Sequence, residues 1–495
     1  MQLKVKDMDI ATGGPLITIL NRVDAHRYDL HNLDRIEIQK GRRKVTVILD
    51  IGESERAVPK GSIGFFEEVL SALNAKAGDL VGVSVAKKPE SIAFIRSKLD
   101  GKTLREEEID RVVKGIVDGE LSDVELTYFI SGCYINRLND RETIALTKSI
   151  VKYGDRINVK DGPILDKHCT GGVPNNRTTM IIVPILTSLG YFVPKTSSRS
   201  ITSPAGTADT MEVLAPVSFP AEKIKKILKK VNGCIVWGGG LNLASADDKL
   251  IKIRNPLALD PEGMLLASIL AKKLAVGATH VLIDIPIGEE TKIKTLAKAK
   301  RLEKKFVKIG RMLGMKISVM ITDGSEPIGN GIGPALEARD VLYILKNDKR
   351  APADLREKAI AMCVAMVEMV GTKNSRELIE QVLRSGTAYK KMKQIIKAQG
   401  GNPDIMPSDI RLGKFTFNFR SAKSGKLLDI DNRIVSKVAR IAGAPLDKGA
   451  GIYFYKHRND AVKKGDLLYT VYSDNRQRLS YAKETLGESQ MVHIG

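Results

Sequence analysis

The chain has 495 residues, a hydrophobic content of 43% and a charged content of 28%, and is long enough for about three domains with sizeable cores. No apolar run approaches the roughly 20 residues of a membrane span, and the first residues, MQLKVKDMDI, lack the apolar core of a signal peptide. We therefore expect a soluble cytoplasmic protein without a membrane partner.

The formal net charge of +21 raises the rate of encounter with anions of every kind, so RNA binding is one alternative function. Aromatic residues make up only 5% of the chain, and neither a CxxC…HxxxH pattern nor an RNP-like string is present, so no base-reading module is indicated. The lysine-rich stretch 292–305 is typical of a solvated helix face. The four cysteines are scattered without metal-ligand spacing, which indicates a reducing compartment and no metal site.

Residues 1–86 predict a small β domain, because turn residues separate four segments that are alternating or rich in β-branched residues: LKVKDMDI, LITIL, RIEIQ and KVTVILD. Residues 88–160 predict a helical domain. Within it, Thr103 and Ser122 each precede an acidic helix start and are expected to cap helices.

Residues 161–411 predict a large α/β domain, because helical segments alternate with apolar strands such as GCIVWGG, HVLIDIPIG and KISVMITDG. From about residue 412, the strand-like segments GKFTFNF and GIYFYK indicate a C-terminal α+β domain over residues 412–495. The predicted fold class is therefore a multidomain α/β protein.

Two loops rich in glycine and hydroxyl groups lie in the α/β domain. The first loop, residues 166–179, is DKHCTGGVPNNRTT, and the second loop, residues 195–213, is KTSSRSITSPAGTADTMEV. Between them MIIVPILTSLG predicts a buried helix, so the first loop lies at a helix N-terminus, where amide dipoles favour bound phosphate. No Walker A pattern occurs, which disfavours hydrolysis of nucleoside triphosphates. The pair of loops predicts an enzyme that acts on a phosphorylated substrate or consumes phosphate.

The second loop offers many hydrogen-bond donors to a ligand. Few core segments tolerate so many hydroxyl groups without an external partner, and the guanidinium of Arg199 is suited to a bidentate grip on a phosphate. The candidate substrate-binding residues of this loop are Ser197, Ser198, Arg199, Ser200, Ile201, Thr202, Ser203 and Thr207.

The string SSRSITSPAGTADTMEV, following KHCTGG, resembles the signature of the thymidine and pyrimidine-nucleoside phosphorylases. Residues 122–154 resemble the family's helical domain, residues 265–288 its substrate helix and next strand, and residues 449–473 its C-terminal module. The resemblance covers most of residues 88–480. It implies that the helical segment 247–277 returns to the first helical domain.

The N-terminal extension distinguishes this chain from thymidine phosphorylases, which lack it. Residues 1–86 resemble the double-psi β-barrel of certain AAA ATPase N-domains. Within the wider family, the archaeal AMP phosphorylases have an extension of about this size. The expected architecture is thus an N-terminal β-barrel-like extension, a small helical domain, a large α/β phosphate-binding domain and a C-terminal α+β module.

The resemblance also implies the site residues. Phosphate is expected to bind the loop residues Lys167, Thr170, Gly172, Thr179, Ser197 and Thr207. Cys169 stands where the family usually has serine, and it is either a weak donor or a small packing residue. His168 matches a family histidine near the base and sugar, although a lone histidine is more often structural.

On the base side, Arg254, Ser268 and Lys272 match the pyrimidine-contacting residues of thymidine phosphorylases. Asp260 matches the proton donor of archaeal AMP phosphorylases, and a nearby carboxylic acid suits a purine, which leaves well only when its N7 is protonated. The alternative for Asp260 is a helix N-cap before Pro261.

On the sugar side, Lys292 and Arg199 are expected to bind a 5′-phosphate, which a nucleoside lacks. The implied reaction converts AMP and phosphate to adenine and ribose 1,5-bisphosphate, with CMP and UMP as further candidate substrates. The alternatives are a thymidine or pyrimidine-nucleoside phosphorylase and an RNA-binding protein on a decayed phosphorylase scaffold. The resemblance implies no cofactor beyond phosphate as co-substrate, no nucleic-acid partner, and a homodimer or higher homo-oligomer.

Overall fold

A computed structural model describes residues 1–13, 16–86, 88–157, 162–200, 203–241, 243–257, 259–488 and 490–495. It divides into two compact units, Met1–Tyr153 with Ser245–Leu265, and Gly154–Ala244 with Leu266–Gly495. Of the segment 247–277, residues up to Leu265 group with the first unit and residues from Leu266 with the second. Among the described helices, none is both long and apolar enough to span a bilayer.

The first unit begins with a closed six-stranded barrel, which confirms the expected β-barrel extension. Its elements are β1 (Gln2–Asp7), β2 (Ile17–Asn21), α1 (Arg22–Arg27), β3 (Arg35–Lys40), β4 (Arg43–Gly52), β5 (Ser62–Phe65), α2 (Glu67–Leu73) and β6 (Leu80–Val85). The strand order is β1-β5-β2-β4-β3-β6, and the pairs β1–β5 and β2–β4 are parallel. Alternate residues such as Leu3 and Val5 are buried in its apolar core, as the strand period of two requires.

The predicted helical domain follows as α3 (Ser91–Leu99), α4 (Glu106–Val117), α5 (Asp123–Ile135) and α6 (Asp140–Lys152). Ser122 caps α5 as expected, and its backbone N–H donates to the Glu125 carboxylate at 2.7 Å. The expected cap at Thr103 is wrong, because α4 begins only at Glu106. Leu104 is still outside the helix, where its N–H donates to the buried Glu142 carboxylate at 2.9 Å.

The same Glu142 carboxylate is the most deeply buried charge of the helical domain. Lys98 Nζ donates to Glu142 Oε1 at 2.8 Å, and the two side chains are only 2% and 1% exposed. The backbone N–H of Asn139 donates to Glu142 Oε2 at 2.9 Å. This network joins α3, the turn before α4 and the start of α6.

Replacing Lys98 with methionine should lower the free energy of unfolding by about 3–5 kcal/mol, because Glu142 would remain buried without its counter-ion. Urea unfolding monitored by far-UV circular dichroism measures the loss. The matched control is Lys102→Met, which removes an exposed lysine a few residues away. Equal stability of the two variants would show that the ion pair is not a significant stabilising contact.

The α/β region has the expected alternation of helices and strands. The next elements in chain order are β7 (Leu165–Cys169), α7 (Thr178–Ser188), β8 (Val193–Ser197), α8 (Thr207–Met211), α9 (Ala221–Val231), β9 (Gly233–Trp237), α10 (Ser245–Arg254) in the first unit, α11 (Glu262–Ala275), β10 (His280–Ile287), α12 (Leu296–Met312), β11 (Lys316–Asp323), β12 (Gly331–Ile332), α13 (Pro334–Leu345), α14 (Ala353–Met369), α15 (Ser375–Arg384) and α16 (Thr387–Ala398). The predicted buried helix is α7, and the lysine-rich stretch forms much of α12 with exposed lysines.

The parallel strands bring the loops to one edge. β7 pairs with β10 and β10 with β11, and Cys169 lies opposite Asp284 in this register. β8 pairs in parallel with β9, and a parallel bridge between Ile164 and Phe192 links β7 to the segment before β8. Because the carboxyl ends of parallel strands share an edge, both glycine-rich loops begin there.

The C-terminal region confirms the predicted α+β module. Its elements are β13 (Phe415–Arg420), β14 (Gly425–Ile430), α17 (Asn432–Ala442), β15 (Gly451–Phe454), β16 (Ala461–Val462), β17 (Leu467–Ser473), α18 (Arg476–Glu488) and β18 (Val492–Ile494). They form one sheet in the order β12-β15-β17-β13 and a second in the order β16-β14-β18.

Candidate active site

The first loop leaves β7 and leads directly into α7. Gly171 and Gly172 both have positive φ, +96° and +100°. A Cβ atom on Gly172 would lie 2.6 Å from Thr291 Cα, so only glycine allows the first loop to pack against the loop that follows β10. The backbone of Lys292 lies at this same contact.

The N-terminus of α7 has the features of an anion site. Thr178 and Thr179 begin the helix, and Arg177 precedes them without a side-chain capping bond. The first N–H groups of a helix have no partners within the helix, and they attract an anion. Lys167 Nζ donates to Thr178 Oγ1 at 2.9 Å, which places a positive charge at the helix start.

Asp284, in β10 opposite the last residue of β7, is a buried carboxylate that the sequence analysis missed. Lys167 Nζ lies 3.3 Å and Lys358 Nζ 3.6 Å from its Oδ2 atom. Asn176 donates to Oδ2 at 3.0 Å, and Thr322 donates to Oδ1 at 2.7 Å. Burial acts to raise the pKa of Asp284, but the two lysines and the two hydrogen bonds outweigh it and lower that pKa to about 2. A single acidic residue within the apolar strand HVLIDIPI was the signal for it.

A second buried charge cluster surrounds Asp166, the first residue of the first loop. Lys273 Nζ donates to Asp166 Oδ2 at 2.6 Å, and Lys195 Nζ lies 3.7 Å from Oδ1. Burial, followed by the charge of Lys273, lowers the pKa of Lys195 to about 7 despite the attraction of Asp166. This cluster therefore has more positive than negative charge.

His168 directly follows one residue of each cluster in the sequence, and its side chain is half-buried. Burial, and then the positive charges of Lys273 and Lys195, lower the pKa of His168 well below its usual value. The imidazole is therefore neutral near pH 7, so it can donate one hydrogen bond and accept another.

Cys169 shapes the first loop. Its Sγ atom accepts hydrogen bonds from the Gly171 N–H at 3.3 Å and from Asn176 Nδ2 at 3.2 Å. Burial, followed by the charge of Asp284, raises the pKa of the Cys169 thiol to about 11, so the thiol is protonated at neutral pH. It acts here as a hydrogen-bond acceptor within the loop.

The structure corrects the interpretation of the second loop. The Arg199 guanidinium is bidentate with Glu212, at 2.6 and 2.8 Å, and donates to Asp209 Oδ1 at 3.0 Å. The fork expected to bind a phosphate is thus occupied by carboxylates of the same chain. The Ser200 and Ser203 hydroxyls also donate to carbonyl groups inside the loop rather than to a ligand.

The second loop is held in place by Asp209. Its Oδ2 atom accepts from the N–H groups of Ser200 at 2.7 Å and Gly206 at 2.9 Å. A Cβ atom on Gly206 would lie 2.5 Å from the Arg199 carbonyl carbon, so this close turn requires glycine. Ser198 is exposed beside Arg199, whereas Ile201 and Thr202 lie outside the described residues.

Arg177, which the sequence analysis also missed, joins the two loops. Its guanidinium forms a buried ion pair with Glu337, donates to the Ala205 carbonyl, and donates to Thr207 Oγ1 at 3.3 Å. Glu337 in turn accepts from Thr210 Oγ1 at 2.8 Å. The expected Thr207 is therefore fixed in the second loop by a residue of the first.

Two expected phosphate ligands have unused hydroxyl groups. The Oγ1 atom of Thr170 and the Oγ atom of Ser197 are buried and have no hydrogen-bond partner among the described residues. Buried hydroxyl groups in folded proteins are normally paired, so these two point to an external ligand. Thr179, another expected hydroxyl ligand, is buried at the start of α7.

The remaining expected residues of the second unit lie on α11 and beyond β10. Lys272 Nζ donates to Ser268 Oγ at 3.4 Å, as the spacing of four residues on a helix allows. Lys292 is exposed next to the contact between Gly172 and Thr291.

Arg254 and Asp260 belong to the first unit. The Arg254 guanidinium is buried, with Nε 3.8 Å from Asp260 Oδ1. Asp247 Oδ1 lies 3.9 Å from its terminal nitrogen. Helix α11 begins at Glu262, and the carbonyl of Pro261, the residue before it, accepts from the Leu265 N–H at 2.9 Å. Pro261, rather than Asp260, thus occupies the N-cap position.

The lowered pKa of Lys195 predicts a specific pH dependence of stability. The unfolded chain keeps the Lys195 proton up to about pH 10.4, whereas the folded protein releases it near pH 7. Since the unfolded state binds more protons between these values, stability should rise with pH from about 7 to 10 relative to Lys195→Met. Thermal unfolding of both proteins across this range, without phosphate, measures the difference. Parallel curves would contradict the prediction.

Comparison with known protein families assigns most of the chain. The family model described as glycosyl transferase family, helical bundle domain, matches residues 92–154, and the a/b domain of the same family matches residues 161–389. The pyrimidine nucleoside phosphorylase C-terminal domain matches residues 427–492.

Similar proteins cover nearly the whole chain. An AMP phosphorylase of Thermofilum pendens is 44% identical over 96% of this chain and 92% of its own length. An AMP phosphorylase of Thermococcus kodakarensis is 42% identical over 100% and 98%. A putative thymidine phosphorylase of Legionella pneumophila is 40% identical over 99% and 95%.

A solved structure shows the same fold at low identity. Anthranilate phosphoribosyltransferase of Thermus thermophilus aligns with a TM-score of 0.51 and 18% identity, and the alignment covers 62% of this chain and 98% of that one.

Proposed function

This chain belongs to the family of the AMP phosphorylases, and we propose that it catalyses the reversible phosphorolysis of AMP to adenine and ribose 1,5-bisphosphate, with CMP and UMP as further substrates. As such it is a pentosyltransferase of nucleotide catabolism. The observation that supports it most is the pair of buried, unpartnered hydroxyl groups of Thr170 and Ser197 in the two loops, together with the N-terminus of α7, which has no side-chain cap.

The charges of the second unit suit an inorganic phosphate. Three buried lysines and a fourth with a buried ammonium group face only two carboxylates, which leaves positive charge that a phosphate dianion would neutralise. The two groups are Lys167 and Lys358 around Asp284, and Lys195 and Lys273 around Asp166.

In the proposed reaction, a phosphate oxygen attacks C1′ of the ribose. The new bond between C1′ and this oxygen forms as the bond between C1′ and the base nitrogen breaks, and the electron pair stays on the base. The adenine leaves most readily when N7 receives a proton. We assign this proton to Asp260, while the neutral His168 hydrogen-bonds the sugar or base. No group is oxidised or reduced, so the proposed reaction needs no redox cofactor and uses phosphate as its only co-substrate.

We assign recognition of the 5′-phosphate to Lys292. Arg199 is unsuited to this role because its fork is bidentate with Glu212. Lys292 remains as an exposed cation next to the first loop, at the contact of Thr291 with Gly172. A nucleoside has no 5′-phosphate for this lysine to bind. The lysine would therefore favour AMP over the pyrimidine nucleosides of the alternative function.

The substrate assignment predicts that AMP is cleaved much faster than adenosine or thymidine at saturating phosphate. Lys292→Ala should reduce kcat/KM for AMP by about 30- to 150-fold, the effect of losing a charged hydrogen bond, while Lys294→Ala, a neighbouring exposed lysine, should have little effect. Release of free base is followed by chromatography. Equal efficiency with adenosine, or preference for thymidine, would refute the AMP assignment.

The acid role of Asp260 predicts that Asp260→Asn, which keeps the shape and removes the proton, lowers kcat for AMP by about 10²- to 10⁴-fold. The KM for phosphate should change little. Near-normal turnover, or a lower melting temperature with no specific loss of kcat, would show that Asp260 is structural.

We further propose a cytoplasmic homodimer or higher homo-oligomer in which the barrel of residues 1–86 serves assembly. The alternative of an RNA-binding protein on a decayed scaffold is disfavoured by the intact sequences of both loops and by the unpartnered hydroxyl groups of Thr170 and Ser197. RNA binding at physiological salt without any phosphate-dependent release of base would favour that alternative.

A further inference from the structure

Lys358 is a buried cation that no sequence motif indicated. It lies on α14, its side chain is 10% exposed, and its Nζ atom has no hydrogen-bond acceptor among the described residues. The nearest carboxylate oxygen, Asp284 Oδ2, is 3.6 Å away, which is an ion-pair distance but longer than a hydrogen bond. An ammonium group with three donors is costly to bury in this state.

Asp284 lies too far from Lys358 for a hydrogen bond, and its oxygens have closer partners. Oδ2 accepts from Asn176 at 3.0 Å and lies 3.3 Å from Lys167 Nζ, while Oδ1 accepts from Thr322 at 2.7 Å. One carboxylate thus faces two ammonium groups, which leaves one positive charge without a counter-ion. An anion that binds beside Lys167 would supply this counter-ion.

The carboxylate near Lys358 belongs to a residue opposite the last residue of β7. Asp284 is opposite Cys169 in the sheet, and the Thr170 N–H donates to the Asp284 carbonyl at 3.0 Å. The Thr170 Oγ1 atom, like Lys358 Nζ, is buried without a partner among the described residues. Thr170, Lys167 and Lys358 therefore each contact Asp284, and two of the three carry an unpartnered donor.

We propose that Lys358 binds the inorganic phosphate together with Lys167 and Thr170, and that Asp284 is a positioning residue that orients both lysines. The proposal rests on the proposed function for the identity of the anion. A lysine ammonium is a compact charge with rotatable donors. It therefore reorients from the crowded Asp284 to a phosphate oxygen by a small movement of its side chain.

Lys358→Met tests the proposal with two readouts. The KM for phosphate should rise about 30- to 150-fold, as for loss of a charged hydrogen bond, while the KM for AMP should change less than about 3-fold. In thermal unfolding, inorganic phosphate should raise the melting temperature of the wild type but raise that of the variant far less. Without phosphate, the variant should be as stable as the wild type or more stable, because an uncompensated buried charge is gone.

The matched control is Lys316→Met. Lys316 is the exposed first residue of β11, and its ammonium donates to the Met369 carbonyl at 2.6 Å. This variant should keep both the KM and the phosphate-induced shift of the wild type. Lys358→Arg, which restores the charge, should recover part of the phosphate affinity.

The outcomes separate this proposal from the function on which it rests. If phosphate stabilises the wild type but not Lys358→Met, and no nucleotide is cleaved, the phosphate role of Lys358 stands and the proposed function fails. If AMP is cleaved and Lys358→Met retains the wild-type KM for phosphate and the thermal shift, the role of Lys358 is wrong. A variant that is less stable without phosphate yet keeps the full phosphate shift would show that Lys358 is only structural.

Discussion

The buried carboxylate of Asp284 is the constraint on which the candidate site depends. It lies in β10 opposite the last residue of β7, and its oxygens fix Asn176 of the first loop and orient Lys167. A lone buried carboxylate would be neutralised by a proton, but the surrounding cations and donors keep it ionised, with a pKa of about 2. The positive charge of these groups exceeds the negative charge of one carboxylate, so the arrangement favours the binding of a second anion.

A second buried ion pair makes the two loops one unit. The Arg177 guanidinium leaves the first loop, pairs with Glu337 on α13 and contacts Ala205 and Thr207 of the second loop. Breaking such a pair leaves an uncompensated buried charge, which typically costs several kcal/mol. This ion pair therefore holds the two loops together before any ligand binds. Phosphate binding then costs little conformational entropy for ordering them.

Some residues of the site hold the loops in place, and others are available to bind a ligand. In the second loop, Glu212 pairs with Arg199, and Asp209 accepts from the backbone N–H groups of Ser200 and Gly206, so carboxylates of the chain itself hold these residues. Among the described residues of the two loops, the buried side-chain atoms without partners are the hydroxyls of Thr170 and Ser197 and the Oδ1 atom of Asn175, and Lys358 Nζ lies without a hydrogen-bond partner near Asp284. A hydroxyl-rich sequence thus indicated the right loop, but only some of its hydroxyl groups are available.

The sequence by itself determined the features that depend on local pattern: the alternating strands of the barrel, the cap at Ser122, the buried helix α7 and the glycines that shape both loops. It also indicated the family, because the loop signature is a continuous string. Only the tertiary structure decided the partners of the buried charges. Asn176 meets Asp284 across 108 residues and Arg177 meets Glu337 across 160. Such pairings have no local period or spacing, since they follow from the order of parallel strands and the packing of distant helices. For the same reason, a chain segment alone does not show whether its arginine binds a ligand or a neighbouring carboxylate.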